Sequence, residues 1–320
     1  MNICVVGTGA IGGWVAAKLA LAGDSVMALN SRGAIERIEL SEVGETKIAA
    51  FARFDGPADV LIIAVKATRL SAAAQSARAY LGPRTSIVPM QNGVPWWFVE
   101  GMQLQSIDPD GSIAAALPLA QIVGCVVHAS CSRAGETVVV KHADKLIIGE
   151  PRGSETSERL ARLFALFDEA GLKPDISGNV RRSLWYKLWG NATINPLSAL
   201  VRASCDKILA DPECRTWMLE GMAELAAIGA AVGCPISESG EDRMAVTARL
   251  GAFKTSMLQD VEAGRPIELE ALLGAPREIA RARGIETPAL DRLYGVTKLM
   301  AESLNLLPSL PREGKGVGCG

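Results

Sequence analysis

Met1-Asn2-Ile3-Cys4-Val5-Val6-Gly7-Thr8-Gly9-Ala10-Ile11-Gly12 opens the chain, and its reading decides the fold. Asn2–Val6 is a short apolar run rich in β-branched residues, which marks a strand. Three glycines follow at G-x-G-x-x-G spacing; Trp14–Ala22 then takes up helical spacing and stops at Gly23. In such a strand–loop–helix the first glycine makes the tight turn and the second lets the backbone approach a pyrophosphate. The third lets helix and strand pack closely. The pyrophosphate meets free N–H groups at the positive end of the helix dipole. Gly7, Thr8, Gly9, Ala10, Ile11 and Gly12 are therefore the expected cofactor cradle.

Outward from this loop, strand and helix alternate. Val26–Leu29 is a second strand-like run, and Asp59–Val65 a third, apolar almost throughout as a strand buried on both faces should be. Helical Ser71–Leu81 stops at Gly82-Pro83, and Ser86–Pro89 is a fourth strand. This rhythm implies a parallel sheet covered by helices through right-handed crossovers. Ile122–Ser130, Glu136–Lys141 and Lys145–Ile148 read as further strands, broken at Ala134-Gly135 and His142-Ala143-Asp144, and antiparallel hairpins at the sheet edge are expected. Helical patterns then dominate: Glu155–Ala170, Val180–Leu200, Pro212–Val232, Glu241–Glu262, Glu268–Arg283 and Pro288–Leu307. The expected fold class is an α/β Rossmann-type N-terminal domain plus an all-α C-terminal domain. The first, residues 1–178, has a mostly parallel sheet with antiparallel edge strands and binds NADP; the second, 179–307, carries substrate and catalysis. A flexible tail, 308–320, rich in Pro, Gly and charge, would follow. Gly314-Lys315-Gly316 in that tail lacks the flanking strand and helix of a phosphate loop.

Composition narrows the function. The 320 residues are 49% hydrophobic and 21% charged, enough apolar material for a sizeable core. A net charge of −2 leaves no basic excess for neutralising phosphates, and 5% aromatics leaves little for base stacking, so no nucleic-acid partner is expected. The apolar stretch Ile113–Val127 is interrupted by Pro118, Gln121 and Gly124 and is no membrane span. There is no basic, cleavable leader pattern. Seven cysteines without a C-x-x-C read as reduced thiols, and two histidines without ligand spacing argue against a metal, so a cytoplasmic protein is expected. The second strand ends Ala28-Leu29-Asn30-Ser31-Arg32-Gly33, with no acid for a ribose hydroxyl. Arg32 can instead grip a 2′-phosphate bidentately, which favours NADP(H) over NAD(H).

Several segments converge in order: the Gly7–Gly12 loop, Arg32-Gly33, Val65-Lys66-Ala67, Gln91-Asn92-Gly93, Lys187-x3-Asn191-x3-Asn195-Pro196-Leu197, and Ser256-Met257-Leu258-Gln259-Asp260 with Glu268 downstream. Together they resemble the ketopantoate reductase (2-dehydropantoate 2-reductase) family, from Met1 to about Leu304. The resemblance implies NADPH-dependent reduction of a small 2-oxo acid in a cleft between the two domains. Carried over by position, Lys187 would be the proton donor, and Asn92, Asn191, Asn195 and Ser256 would touch substrate. Arg32, Lys66, Asn92 and Glu268 would contact cofactor or the closed site. Ala203-Ser204-Cys205 and Leu273-Gly274 depart from the family pattern at two positions where an Asn is common, which concerns the identity of the substrate more than the reaction. A relative acting on another oxo or hydroxy acid, or a non-catalytic NADP-binding protein, are the alternatives. A homodimer is possible.

The chemistry of these residues is consistent with such a site. Lys187, Asn191 and Asn195 stand at i, i+4 and i+8 and share a helix face, with Trp185 and Trp189 roughly opposite. Pro196 should break or kink the helix at Asn195 and free the carbonyl of Ala192. A Lys ammonium can stabilise a developing alkoxide and protonate it, provided an enclosed cleft lowers its pKa. Lys66 follows the end of a buried parallel strand, where ligands sit in open α/β sheets. Asn92 offers a donor and an acceptor, Ser256 a hydroxyl for a carboxylate. Asp260 is expected to orient a helix and His128 to be structural.

Overall fold

The computed structural model describes residues 1–307. The expected tail, 308–320, lies outside the described residues. The chain runs β1 (Asn2–Val6), α1 (Ala10–Leu21), β2 (Ser25–Asn30), β3 (Gly33–Ile35), β4 (Arg37–Glu42), β5 (Glu45–Ala50), β6 (Val60–Ile63), α2 (Leu70–Ala77), β7 (Ser86–Pro89), α3 (Ser112–Ala116), β8 (Gly124–Ala134), β9 (Thr137–Gly149), α4 (Glu158–Glu169) and β10 (Pro174–Ile176). From there it is helical: α5 (Val180–Val201), α6 (Cys205–Ala210), α7 (Pro212–Ala231), α8 (Gly240–Ala248), α9 (Ser256–Glu262), a π-helical turn Glu270–Gly274 leading into α10 (Ala275–Ala282), and α11 (Pro288–Ser303).

The first sheet has order β3-β2-β1-β6-β7, parallel except for β3 on its edge. Its strands are apolar at successive positions because both faces are covered. Ile3, Val5, Val26, Ala28, Val60 and Ile62 enter one apolar cluster; Cys4, Val6, Met27, Leu29, Leu61 and Ile63 enter another. The second cluster continues through Trp97 and Phe98 to Trp185, Leu225 and Leu290, so one core runs from the sheet into the helices.

A second sheet, order β10-β9-β4-β5 with β8 paired to β9, takes the place of the expected edge hairpins. The mixed, half-polar sequence of β4 and β5 concealed it. The two expected strands on either side of His142-Ala143-Asp144 are one strand, β9. Its pairing with β8 skips Asp144 and Lys141, so those residues bulge rather than break the ladder. α1 packs against both sheets and is buried on most sides, with Trp14, Val15, Ala16, Ala17 and Leu19 inside; that accounts for its lack of a polar face.

Two expected helices came out differently. Glu241–Glu262 is two helices, because the chain turns left-handed at Gly251 (φ 69°) and Thr255 caps α9 by accepting from Leu258 N–H. The expected break at Asn195-Pro196 is absent: α5 is helical from Val180 to Val201. Every residue from Ala192 to Ala199 is buried, and that packing holds the helix through the missing N–H of Pro196. No helix among the described residues is long and apolar enough to cross a membrane.

Candidate active site

The glycine turn is built as its sequence implied. Gly7 has φ 97°, and a Cβ there would strike Val65 and the carbonyl of Ala64. A Cβ on Gly12 would overlap the Gly7 carbonyl, so helix and loop pack only with glycine there. Gly9 is different: a Cβ would meet nothing within 4 Å. The open side of the turn faces a cleft, and no side chain caps the start of α1. The hydroxyl of Thr8 is buried there without a hydrogen-bond partner among the described residues.

The cleft measures about 1580 Å³, above the roughly 300–1,000 Å³ of ordinary small-molecule pockets. Gly7, Thr8, Gly9, Ala10, Ile11, Arg32, Lys66, Asn92, Ser256 and Glu268 all line it. So do Arg53, Arg69, Arg133 and Arg265, giving six cationic side chains against the four acids Asp55, Asp260, Glu262 and Glu268. An open helix start, a glycine turn and a cationic lining suit a dinucleotide. Gly12, Lys187, Asn191 and Asn195 stand outside that lining.

Lys187 nonetheless reaches its wall. Its ammonium donates to Asn92 Oδ1 at 2.9 Å and to the carbonyl of Val127, on β8, at 2.6 Å. Trp185 and Trp189 anchor the opposite face of α5, each donating its indole N–H to a carbonyl of α7, Leu225 and Met222. Burial lowers the Lys187 pKa to about 8, while Cys125 and Glu268 pull it the other way. The Cys125 thiol is itself pushed up to about 12 by burial and is neutral where Lys187 titrates, so Glu268 supplies the opposing charge. An ammonium has three donors, and two are engaged among the described residues, which leaves one for a substrate oxygen. Asn191 is half-buried and Asn195 buried, and neither side chain has a hydrogen-bond partner among the described residues.

A clasp missed by the sequence reading joins the two halves of the chain. Lys66 pairs with Asp260 Oδ2 at 2.6 Å and donates to the Pro266 carbonyl at 3.1 Å. The neighbouring Ala67 N–H donates to Glu268 Oε1 at 2.9 Å. Asp260 Oδ1 also holds Arg265, so the acid thought to orient a helix instead fixes the Arg265-Pro266 turn onto Lys66. The π-helical turn adds to the clasp: Val94 N–H donates to the Ala271 carbonyl at 2.8 Å, and Gly93 (φ 83°) lies so close that a Cβ would strike Ala271. Burial raises the Glu268 pKa, opposed by the Ala67 N–H and Lys66. His128 is held neutral, with its pKa lowered to about 4 by burial and then by Lys187.

Residues 3–153 match the family Ketopantoate reductase PanE/ApbA, and residues 179–301 match Ketopantoate reductase PanE/ApbA C terminal. The 2-dehydropantoate 2-reductase of Mesorhizobium japonicum is 36% identical over 94% of this chain and 98% of that protein. A provisionally named ketopantoate reductase from Ralstonia solanacearum MolK2 has a crystal structure with TM-score 0.89 at 43% identity, covering 95% of this chain and 99% of that one. The 2-dehydropantoate 2-reductase structure from Methylococcus capsulatus gives 0.81 at 27%, covering 95% and 98%. The fold, the cleft and these likenesses define an NAD(P)-dependent oxidoreductase. The chain belongs to the ketopantoate reductase family.

Proposed function

We propose that this protein reduces 2-dehydropantoate to (R)-pantoate with NADPH, the reductive step of pantothenate biosynthesis, and that Lys187 is the proton donor. The observation that carries the reading is the Lys187 ammonium, lodged between the Val127 carbonyl and Asn92 on the wall of the glycine-lined cleft, with one N–H unengaged among the described residues. The reduced nicotinamide, when bound, supplies a hydride to the ketone carbon. Lys187 donates a hydrogen bond to the ketone oxygen and then the proton that the alkoxide needs. Asn92 and the Val127 carbonyl hold the ammonium through that transfer. A pKa of about 8 keeps Lys187 charged at neutral pH yet a better acid than a free lysine. Water can then reprotonate it.

Arg32, on the cleft lining past the end of β2, is the 2′-phosphate residue in this reading and makes NADPH the preferred donor. Ser256, also on the lining, contacts the substrate; Asn191 and Asn195 complete the substrate side from the same face of α5 as Lys187. The test is NADPH oxidation with 2-dehydropantoate and a panel of small 2-oxo acids. Turnover of 2-dehydropantoate well above the panel supports the reading; turnover of another acid alone would reassign the substrate; no turnover with any would overturn it.

A further inference from the structure

Arg133 lies near the end of β8, in the second sheet, and lines the cleft together with Gly9, Ala10 and Ile11. The strand register shows how it comes there. Arg133 stands directly opposite Val138 in the antiparallel β8–β9 pair. Residues paired in this way point to the same face of a sheet. Val138 is fully buried and faces α1: a Cβ on Gly13 would come within 2.9 Å of its Cγ2. Gly13 closes the first turn of α1, its N–H donating to the Gly9 carbonyl at 2.9 Å. The Arg133 side chain therefore leaves the sheet on the side of the open start of α1. Six residues earlier the same strand holds Lys187 through the Val127 carbonyl, so β8 serves both the proton donor and this wall of the cleft.

The guanidinium is oriented but only partly engaged. Nε donates to the Gly135 carbonyl at 2.9 Å, in the β8–β9 turn, and neither Nη has a partner among the described residues. Arg133 is half-buried, and burial lowers its pKa. Glu136, whose charge opposes that shift, pairs with Arg37 at 3.4 Å. The other cations of the lining have different stations. Lys66 and Arg265 share Asp260. Arg32 follows β2, and Arg53 follows Ala52, whose N–H donates to the Val26 carbonyl of β2. Arg69 is exposed, just before α2. A helix start offers about half a positive charge to an anion, whereas a pyrophosphate is doubly charged. Arg133 adds a full charge and a planar fork suited to phosphate oxygens at that place.

We propose that Arg133 is a further cofactor-binding residue: its Nη groups hold the pyrophosphate of the bound dinucleotide against the start of α1, so that the second sheet fixes the cofactor together with the Gly7–Gly12 loop. This rests on the dinucleotide reading of the cleft and deepens it. Arg32 distinguishes NADPH from NADH in that reading; Arg133 serves both, because the pyrophosphate is common to them.

The experiment is calorimetric titration of the wild type, Arg133→Gln and Arg133→Lys with NADPH, NADH and adenosine 2′-monophosphate, which has no pyrophosphate. Loss of the charged hydrogen bonds should weaken NADPH and NADH alike in R133Q, by roughly 10- to 100-fold, and leave adenosine 2′-monophosphate within about threefold. R133K, which restores the charge without the fork, should recover part of the loss. A loss confined to NADPH would move Arg133 to the 2′-phosphate and overturn the proposal. So would unchanged binding of both dinucleotides, or an equal loss of all three ligands, which is what a merely structural arginine gives. If the wild type binds both dinucleotides but reduces no 2-oxo acid, the reductase reading fails while the titrations still decide Arg133. If the wild type binds neither dinucleotide, both readings are overturned.

Discussion

Replacing Lys187 with alanine should remove catalysis without unfolding the protein. The magnitude has two parts. A positioned general acid contributes about 10²- to 10⁴-fold, so kcat for NADPH-dependent reduction should fall by at least about 10²-fold. Stability works differently. Burial lowers the Lys187 pKa from 10.5 to about 8; a shift of that size corresponds to roughly 3 kcal/mol against keeping the charge inside. The substitution relieves that cost but strands Asn92 Oδ1 and the Val127 carbonyl, each of which loses about 1–3 kcal/mol. The two effects oppose, and the thermal midpoint should move by only a few degrees. The pH signature follows from the same pKa. Reduction needs the ammonium, so log kcat should decline with unit slope above pH about 8, and the reverse oxidation should rise through the same range. Between about 8 and 10.5 the unfolded chain holds a proton at this lysine that the folded chain has released, so wild-type stability should gain with rising pH there. In K187A both pH effects vanish. The assay is NADPH oxidation from pH 6 to 10, alongside melting curves and NADPH titration. A kcat within tenfold of wild type, or an alkaline decline that survives the substitution, would refute Lys187 as the acid.

Arg32→Ala should weaken NADPH by at least about tenfold and NADH by less than about threefold, measured by fluorescence titration; equal losses would remove the 2′-phosphate contact. Gly93→Ala places a side chain at φ 83° against Ala271, and should cost at least about 1–3 kcal/mol in urea unfolding; no loss would mean that the two halves do not press together at this point. Asp260→Asn and Lys66→Met should each cost about 1–2 kcal/mol, because Asp260 is nearly enclosed while Lys66 is partly open to water. The double variant should cost no more than the worse single one; additive losses would show that the two residues do not act as a pair.

Much of the fold was legible because its signals are local. Three glycines sit within six residues; a Cβ at Gly7 or Gly12 would collide with its neighbours, while at Gly9 it would meet only open space. The strands of the first sheet are covered on both faces, so their sequence is apolar without interruption and stands out. β4 and β5 gave no such signal: they carry Arg37, Glu39, Glu42, Glu45 and Lys47 at exposed or half-buried positions, and they become strands by pairing with each other and, for β4, with β9. Pro196 misled for the opposite reason. Its local preference is to end a helix, and enclosure of the whole Ala192–Ala199 stretch overrides it.

The polar row of α5 was visible as a pattern of spacing, and so was its opposition to Trp185 and Trp189. What spacing could not give is partnership between residues far apart in the chain. Lys66 meets Asp260, Ala67 meets Glu268, and Lys187 meets Asn92, each across 95 to 201 positions. Nothing in the covalent chain ranks one such pairing above another. Sequence alone determined the glycine turn and the parallel strands of the first sheet, because those depend on neighbours within a few residues. Only the tertiary structure decided how enclosed Lys187 is, and hence how acidic, and which acid meets Lys66, because desolvation and charge pairing depend on what the folded chain brings from afar.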